Sequence, residues 1–388
     1  MQRRSSLILI VVAASLRPEA VIVAGPDAEI RLDVSHGVDS NPLELPASEG
    51  SGSFTQLALD ASIVGELSPR AGLFLSAGGS GRLYESGLDD GDSTSADARA
   101  GIALVPYRNG FRRLTLALGG TWGLYRSTFI DPETGQIFDY AVDPNTTVPI
   151  AGRFDFDSTG IFLDARLRIQ PAVLLTLDTE MQNRVFVEDY DIDSLDPLDD
   201  RTVSIRPGLR WDVARTATVA LSIEFSERRY DALAALDEDA FEVEGTRREY
   251  RYVAYRAGLD LDPLRNLNLT FGVESTDRDD THAGYYDSRG LSAFITTRYD
   301  LGEKTRFRLD LSNLDLRYQN AFVGADPDGA RRGGDIVRIR GRAERDLTGP
   351  LTLFVEAVSE RSSNQDPIYE YDRNLAHAGL TLRHKTGG

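Results

Sequence analysis

Residues 161–170 read Ile161-Phe162-Leu163-Asp164-Ala165-Arg166-Leu167-Arg168-Ile169-Gln170, and Pro171 follows at once. Ile161, Leu163, Ala165, Leu167 and Ile169 are apolar, with Asp164, Arg166 and Arg168 between them. A period of two puts the apolar set on one face of an extended strand and the charges on the other. Beyond the turn signal at Gln170-Pro171 the alternation resumes at Val173, Leu175 and Leu177, against Thr176, Asp178 and Glu180. These strands run to ten residues or more, where a soluble strand averages roughly 5–6.

The same pattern extends in both directions. It recurs at Leu57 to Ile63, Leu114 to Leu124, Val203 to Trp211, Val219 to Phe225, Tyr255 to Leu261, Leu267 to Val273, Leu291 to Ile295, Phe307 to Leu311, Val337 to Ile339, Leu351 to Val355 and Ala378 to Leu382. With weaker strands near Ile30, Leu73 and Ile102 the count is about sixteen, and no segment from Ala28 onward keeps an apolar helical period for three turns. Links alternate in length. Tight ones, rich in turn formers, lie at Ser68-Pro69, Asn109-Gly110, Gln170-Pro171, Ala214-Arg215, Pro263 to Asn266, Gly302-Glu303 and Gly349-Pro350. Long polar ones occupy 39–52, 85–95, 130–155, 188–200, 231–245, 276–284, 320–334 and 362–370.

Charge follows the parity of the strands. Asp33, Asp60, Arg99, Asp178, Glu180, Arg206, Glu224, Arg256, Glu274 and Glu356 all fall opposite the apolar positions. A face this crowded with charge is water-lined or latticed with cross-strand ion pairs, because unpaired charge is costly in a dry core. Aromatic residues mark both strand ends: Tyr107, Trp211, Tyr299 and Phe307 near the short turns, Trp122, Tyr125, Tyr230 and Tyr318 near the long links, where interfacial girdles are expected.

Composition narrows the alternatives. The 388 residues carry 43 basic and 61 acidic side chains, a formal net charge of −18, and no cysteine. An acidic chain does not neutralise phosphates, which excludes nucleic acid as a partner, and without cysteine there is no disulfide, thiolate metal site or thiol nucleophile. At the start, Arg3 and Arg4 precede the apolar run from Leu7 to Leu16, which meets Arg17 and Pro18. This is read as a secretory signal peptide over residues 1–24, with a single barrel domain over 25–388.

Signal peptide, alternating strands and alternating links together resemble a bacterial outer-membrane β-barrel. The resemblance implies an all-β fold: one antiparallel up-and-down transmembrane barrel with short periplasmic turns and long extracellular loops. It also implies location in the outer membrane among lipid and lipopolysaccharide, with the barrel-assembly machinery as a partner. The strand number is similar to that of general diffusion porins. The stretch Asp366-Pro-Ile-Tyr-Glu-Tyr-Asp-Arg-Asn374 resembles the end of porin-like barrels associated with exopolysaccharide systems. One feature departs from the family: such barrels usually end on an aromatic residue that the assembly machinery reads, and this chain ends His384-Lys385-Thr386-Gly387-Gly388.

Within such a barrel, Arg298, Arg306, Arg308, Arg338, Arg340, Arg342 and Arg383 share the inward parity of the last five strands and would form a basic wall. The alternative is that they pair with Asp310, Glu344 and Glu356 and fill the lumen. The longest link follows the fifth strand and carries Asp131, Glu133, Asp139 and Asp143. In general porins that loop folds into the channel as a constriction with acids facing arginines, and the resemblance implies the same here. The expected function is passive passage of small polar or anionic solutes. Export of an acidic exopolysaccharide, or a structural or surface-binding barrel without an open pore, are the alternatives.

Two further features carry less. The Asp-rich link with Asp189, Asp191 and Asp193 has carboxylates at alternate positions that would ligate Ca²⁺ weakly, although a solvated acidic surface accounts for it as well. No other cofactor is implied. Catalysis is not expected: no metalloprotease, phosphate-loop or GxSxG motif is present, and His377 lacks a serine at the spacing that outer-membrane lipases and deacylases use.

Overall fold

The computed structural model describes residues 11–12, 27–42, 51–85, 92–127, 139–143, 146–149, 155–187, 198–323, 329–367 and 370–386. Sixteen strands form one closed ring. They are β1 Asp27–Asp39, β2 Gly52–Ser68, β3 Ala71–Tyr84, β4 Ser93–Asn109, β5 Arg112–Ser127, β6 Phe156–Gln170, β7 Val173–Phe186 and β8 Asp200–Ala214. The second half comprises β9 Ala217–Tyr230, β10 Glu249–Leu264, β11 Leu267–Asp280, β12 Ser288–Leu301, β13 Thr305–Phe322, β14 Arg331–Thr348, β15 Leu351–Asn364 and β16 Tyr371–Thr386. Each pairs antiparallel with its neighbours in sequence, and β16 closes on β1 with Leu382 opposite Leu32 and His377 opposite Gly37. Closure satisfies every strand edge, which a sheet exposed to lipid requires.

Two short elements stand outside the ring. The hairpin Asp139–Asp143 with Thr146–Pro149 lies in the link between β5 and β6. Val11–Val12 pairs with Gly78 and Ala77 of β3.

The strands run from 13 to 18 residues, more than the roughly 9–11 that cross a hydrocarbon core. Tight reversals sit at one rim, and Gly110, Gly302 and Gly349 take φ of 57°, 70° and 44° there, a conformation that costs glycine little. The long links lie at the other rim. Outward positions carry the greasy face: Ile161, Val203, Leu221, Val355 and Leu382 are all exposed on the outside of the ring. Lipid, rather than a protein core, is the solvent for that face. Among the described residues the largest fully buried side chains lie on the lumen wall, with Phe54 at 0% and Phe354 at 1% exposure.

The aromatic girdle of the long-loop rim needs correction. Trp122 points outward, but Tyr125, Tyr230 and Tyr318 occupy lumen register positions, opposite Phe156, Asp200 and Ser288. Nearness to a strand end suggests a girdle, but the period-two parity of each strand turns these rings inward. At the short-turn rim, Tyr107, Trp211, Tyr299 and Phe307 are exposed as expected.

Candidate functional site

Lumen chemistry follows from the register. Starting at β6, one ion pair leads to the next across six consecutive strands. Arg166 contacts Asp178 at 2.5 Å, and Asp178 accepts from Arg206 at 3.3 Å. Arg206 reaches Glu224 at 3.5 Å, Glu224 accepts from Arg256 at 2.5 Å, and Arg256 pairs again with Glu274. Signs alternate strand by strand along this line, so its interior charges are neutralised from both sides, although Asp164 stands directly opposite Asp178. Arg99 on β4 joins through Asp164 at 2.6 Å and lies 3.6 Å from the centre of the Phe162 ring.

At β12 the alternation ends, with Glu274 opposite the uncharged Ser292, and the arginines of the row that follows lie nearer the short-turn rim. Arg298 stands directly opposite Arg308, and Arg308 directly opposite Arg342. Only at β15 does an acid, Glu356, meet this row, with His377 following on β16. Like charges in direct cross-strand register are unfavourable. Arg308 turns along its own strand to Asp310 at 2.8 Å. Arg342 is held by Glu344 at 2.8 Å, Glu356 at 3.3 Å and Asp33 at 3.6 Å. Arg298 makes no ion pair or hydrogen bond among the described residues.

The remaining arginines of the expected basic wall also have partners. Arg306 bonds Glu344 at 3.2 Å and Asp346 at 2.7 Å, Arg338 pairs with Glu360, Arg340 with Glu356 at 2.8 Å, and Arg383 with Glu29 at 3.4 Å. They are therefore brought together and largely paired, with Arg298 the exception. The row opens on a cleft of about 600 Å³ whose lining includes seven arginines and five carboxylates. Positive charge is in local excess there, in a chain that is strongly acidic overall.

Glu356 anchors the inner end of the row. It accepts from Arg340 and Arg342 and lies 3.1 Å from His377 Nε2, while His377 Nδ1 lies 2.9 Å from Ser35 Oγ. His377 is wedged between the Phe54 and Phe354 rings, at 5.8 and 5.7 Å. Gly37 makes room for it, since a Cβ there would fall 2.4 Å from the His377 Cβ. Sequence reading did not link Ser35 to His377 because the two meet only when the barrel closes. Near the long-loop rim a second closure contact joins Arg373 on β16 to Asp39 on β1 at 2.6 Å, with the Tyr84 hydroxyl donating to the same carboxylate at 2.6 Å.

The long-loop half of the lumen is built differently. Links 231–248 and 281–287 fold onto one another around Leu233, Leu236, Tyr285 and Phe322. Tyr286 from this cap meets the lumen tyrosines edge-on, with ring centres 6.0 Å from Tyr250 and 6.4 Å from Tyr318. Burial raises the Tyr285 hydroxyl above the ordinary tyrosine range, and Tyr286 adds to that against the opposing effect of Arg332. The phenol therefore stays neutral at physiological pH. A second cleft, of about 450 Å³, lies in the same half of the lumen.

Two expected sites fall elsewhere. Asp131 and Glu133 of the constriction loop, and Asp189, Asp191 and Asp193 of the Ca²⁺ candidate, lie outside the described residues. Asp139 and Asp143 bound one strand of the loop hairpin.

No protein-family model matches the chain, and no curated protein matches it. Its architecture is similar to that of several solved structures. One is a loop L8 deletion mutant of OmpT, an outer membrane protein of Vibrio cholerae, with 10% identity, a TM-score of 0.44 and coverage of 93% of this chain and 99% of that one. Others are Acinetobacter baumannii OccAB3, with 10% identity, TM-score 0.47 and coverage of 94% and 100%, and Pseudomonas aeruginosa OpdO, with 14%, 0.46, 93% and 98%. The ring architecture and its chemistry both rest on this chain's own residues. Sixteen antiparallel strands, an apolar exterior and a charged interior are together decisive. The chain is a closed β-barrel of the membrane-spanning type.

Proposed function

We propose that the barrel is a passive channel for small polar or anionic solutes and that the arginine row of β12 to β14 sets its preference for anions. The observation that carries this reading is the break in charge alternation. A lumen meant only to be filled would be expected to continue the pairing seen from β6 to β11. Instead Arg298, Arg308 and Arg342 are held in direct register on the wall of a cleft of about 600 Å³. A passing anion would supply the negative charge the register omits, and low-dielectric walls would focus the field that draws it in. The acids of the link between β5 and β6 are assigned to a constriction facing this row. We read Ser35, His377 and Glu356 as a structural tie rather than a catalytic set. Both Ser35 and His377 sit mid-strand, paired on either side by the ladders that join β15, β16, β1 and β2.

Reconstitution into planar bilayers tests the proposal. The expected result is stepwise ion current with chloride more permeant than potassium. A folded barrel that carries no current would overturn it.

A further inference from the structure

The cleft in the long-loop half differs in chemistry from the arginine row. One side is apolar. Leu314 and Leu316 take lumen register positions on β13, opposite Ser292 and Gly290, where the lower part of that strand places Arg306, Arg308 and Asp310. Tyr252 also lines the cleft. Hydroxyl groups such as those of Ser226 and Thr276 contribute polar lining, along with Arg256, whose charge is balanced by Glu224 and Glu274.

One cation in the cleft is not balanced in this way. The Arg278 guanidinium carbon lies 4.9 Å from the Tyr250 ring centre, 5.7 Å from Tyr286 and 5.1 Å from Tyr318. Its Nε–H donates to the Tyr286 carbonyl at 2.9 Å. Its Nη2 is buried with no hydrogen-bond partner, and Arg278 makes no ion pair among the described residues. Tyrosine rings stabilise a cation through their faces, but they do not replace a carboxylate, and an orphaned charged donor is costly.

A ligand for this cleft needs an apolar ring face to cover the leucines, several hydroxyls to exchange bonds with the Ser, Thr and Glu side chains, and one anionic group for Arg278. A simple inorganic anion leaves the leucines uncovered, and a neutral sugar leaves Arg278 unanswered. We infer that this cleft is a binding subsite for acidic sugar residues of the uronate class. The cleft volume is within the roughly 300–1,000 Å³ usual for ligand sites. This inference rests on the reading of the lumen as open to solutes and names the class of solute that the long-loop half selects.

Calorimetric titration of the folded, detergent-solubilised full chain tests it with three probes: trigalacturonate, its neutral counterpart galactotriose, and the aliphatic tricarboxylate citrate. Trigalacturonate is expected to bind at least about tenfold more tightly than either of the others, the scale of one charge-assisted contact. Arg278→Gln and Leu316→Ser are each expected to weaken it by about tenfold. Arg308→Gln, in the other cleft, is expected to leave it unchanged. The folded state of each variant is checked by its heat-dependent gel shift, and Leu316→Ser keeps the test decisive if Arg278→Gln does not fold. Equal binding of trigalacturonate and citrate, or of trigalacturonate and galactotriose, overturns the inference, as does undiminished binding in a folded Leu316→Ser. The conductance experiment is independent: current without uronate binding removes this subsite and leaves the channel, whereas binding without current removes the channel and leaves the subsite.

Discussion

The belt from β6 to β11 and the row from β12 to β14 are made of the same residue types at the same inward parity, yet they solve opposite problems. In the belt Arg206 and Arg256 each lie between carboxylates on neighbouring strands, Arg256 between Glu224 and Glu274. In the row arginine faces arginine, and neutralisation comes from the same strand, from β15 or from across the closing seam. Cross-strand pairing stabilises a wall; its omission leaves a field in the lumen. The density of charge is therefore a poor guide to function in such a barrel. The order of signs around the ring is the informative quantity.

The contrast breaks first where the row ends. Glu356→Ala would leave Arg340, Arg342 and His377 without their shared acceptor in a buried position, and is expected to destabilise the barrel by about 3–5 kcal/mol. Urea titration followed by the folded-to-unfolded gel shift measures this. Next comes the belt. Glu224→Ala removes one carboxylate and exposes two arginines, Arg206 and Arg256, each of which keeps one other acid, so the expected loss is about 2 kcal/mol. The row itself behaves in the opposite way. Arg298→Glu places an acid opposite Arg308 and is expected to stabilise the barrel by about 0.2–1 kcal/mol in the same titration. A loss on that substitution would mean that Arg298 is already neutralised within the wall and that belt and row do not differ.

Much of this architecture was readable from residue parity alone. The alternation at Ile161 to Ile169 and its repeats placed Asp178, Arg206, Glu224 and Arg256 inside and Leu163, Val203 and Leu221 outside, because period two permits one assignment of faces once one face must meet lipid. The wall of arginines was equally visible. Its partners Asp310, Glu344 and Glu356 were legible too; Asp33 was not, since it lies hundreds of residues from Arg342 and reaches it only after β16 joins β1. Register, which sequence periodicity does not determine, decides whether Arg298 meets an acid or another arginine. The upper cleft did leave a trace that went unused: Leu314 and Leu316 put apolar residues at inward parity just after Asp310 and Ser312. Tyr125, Tyr230 and Tyr318 carried the same signal and were read as girdle residues instead.

The central claim is that the arginine row, with Arg298 left without an ion pair among the described residues, gives the lumen its preference. The most direct measurement is the reversal potential of single channels under a KCl gradient, for the native chain and for Arg298→Glu. The native channel is expected to favour chloride, and the variant to shift toward potassium with its conductance retained. A native channel that favours potassium, or a variant whose reversal potential does not move, would contradict the account.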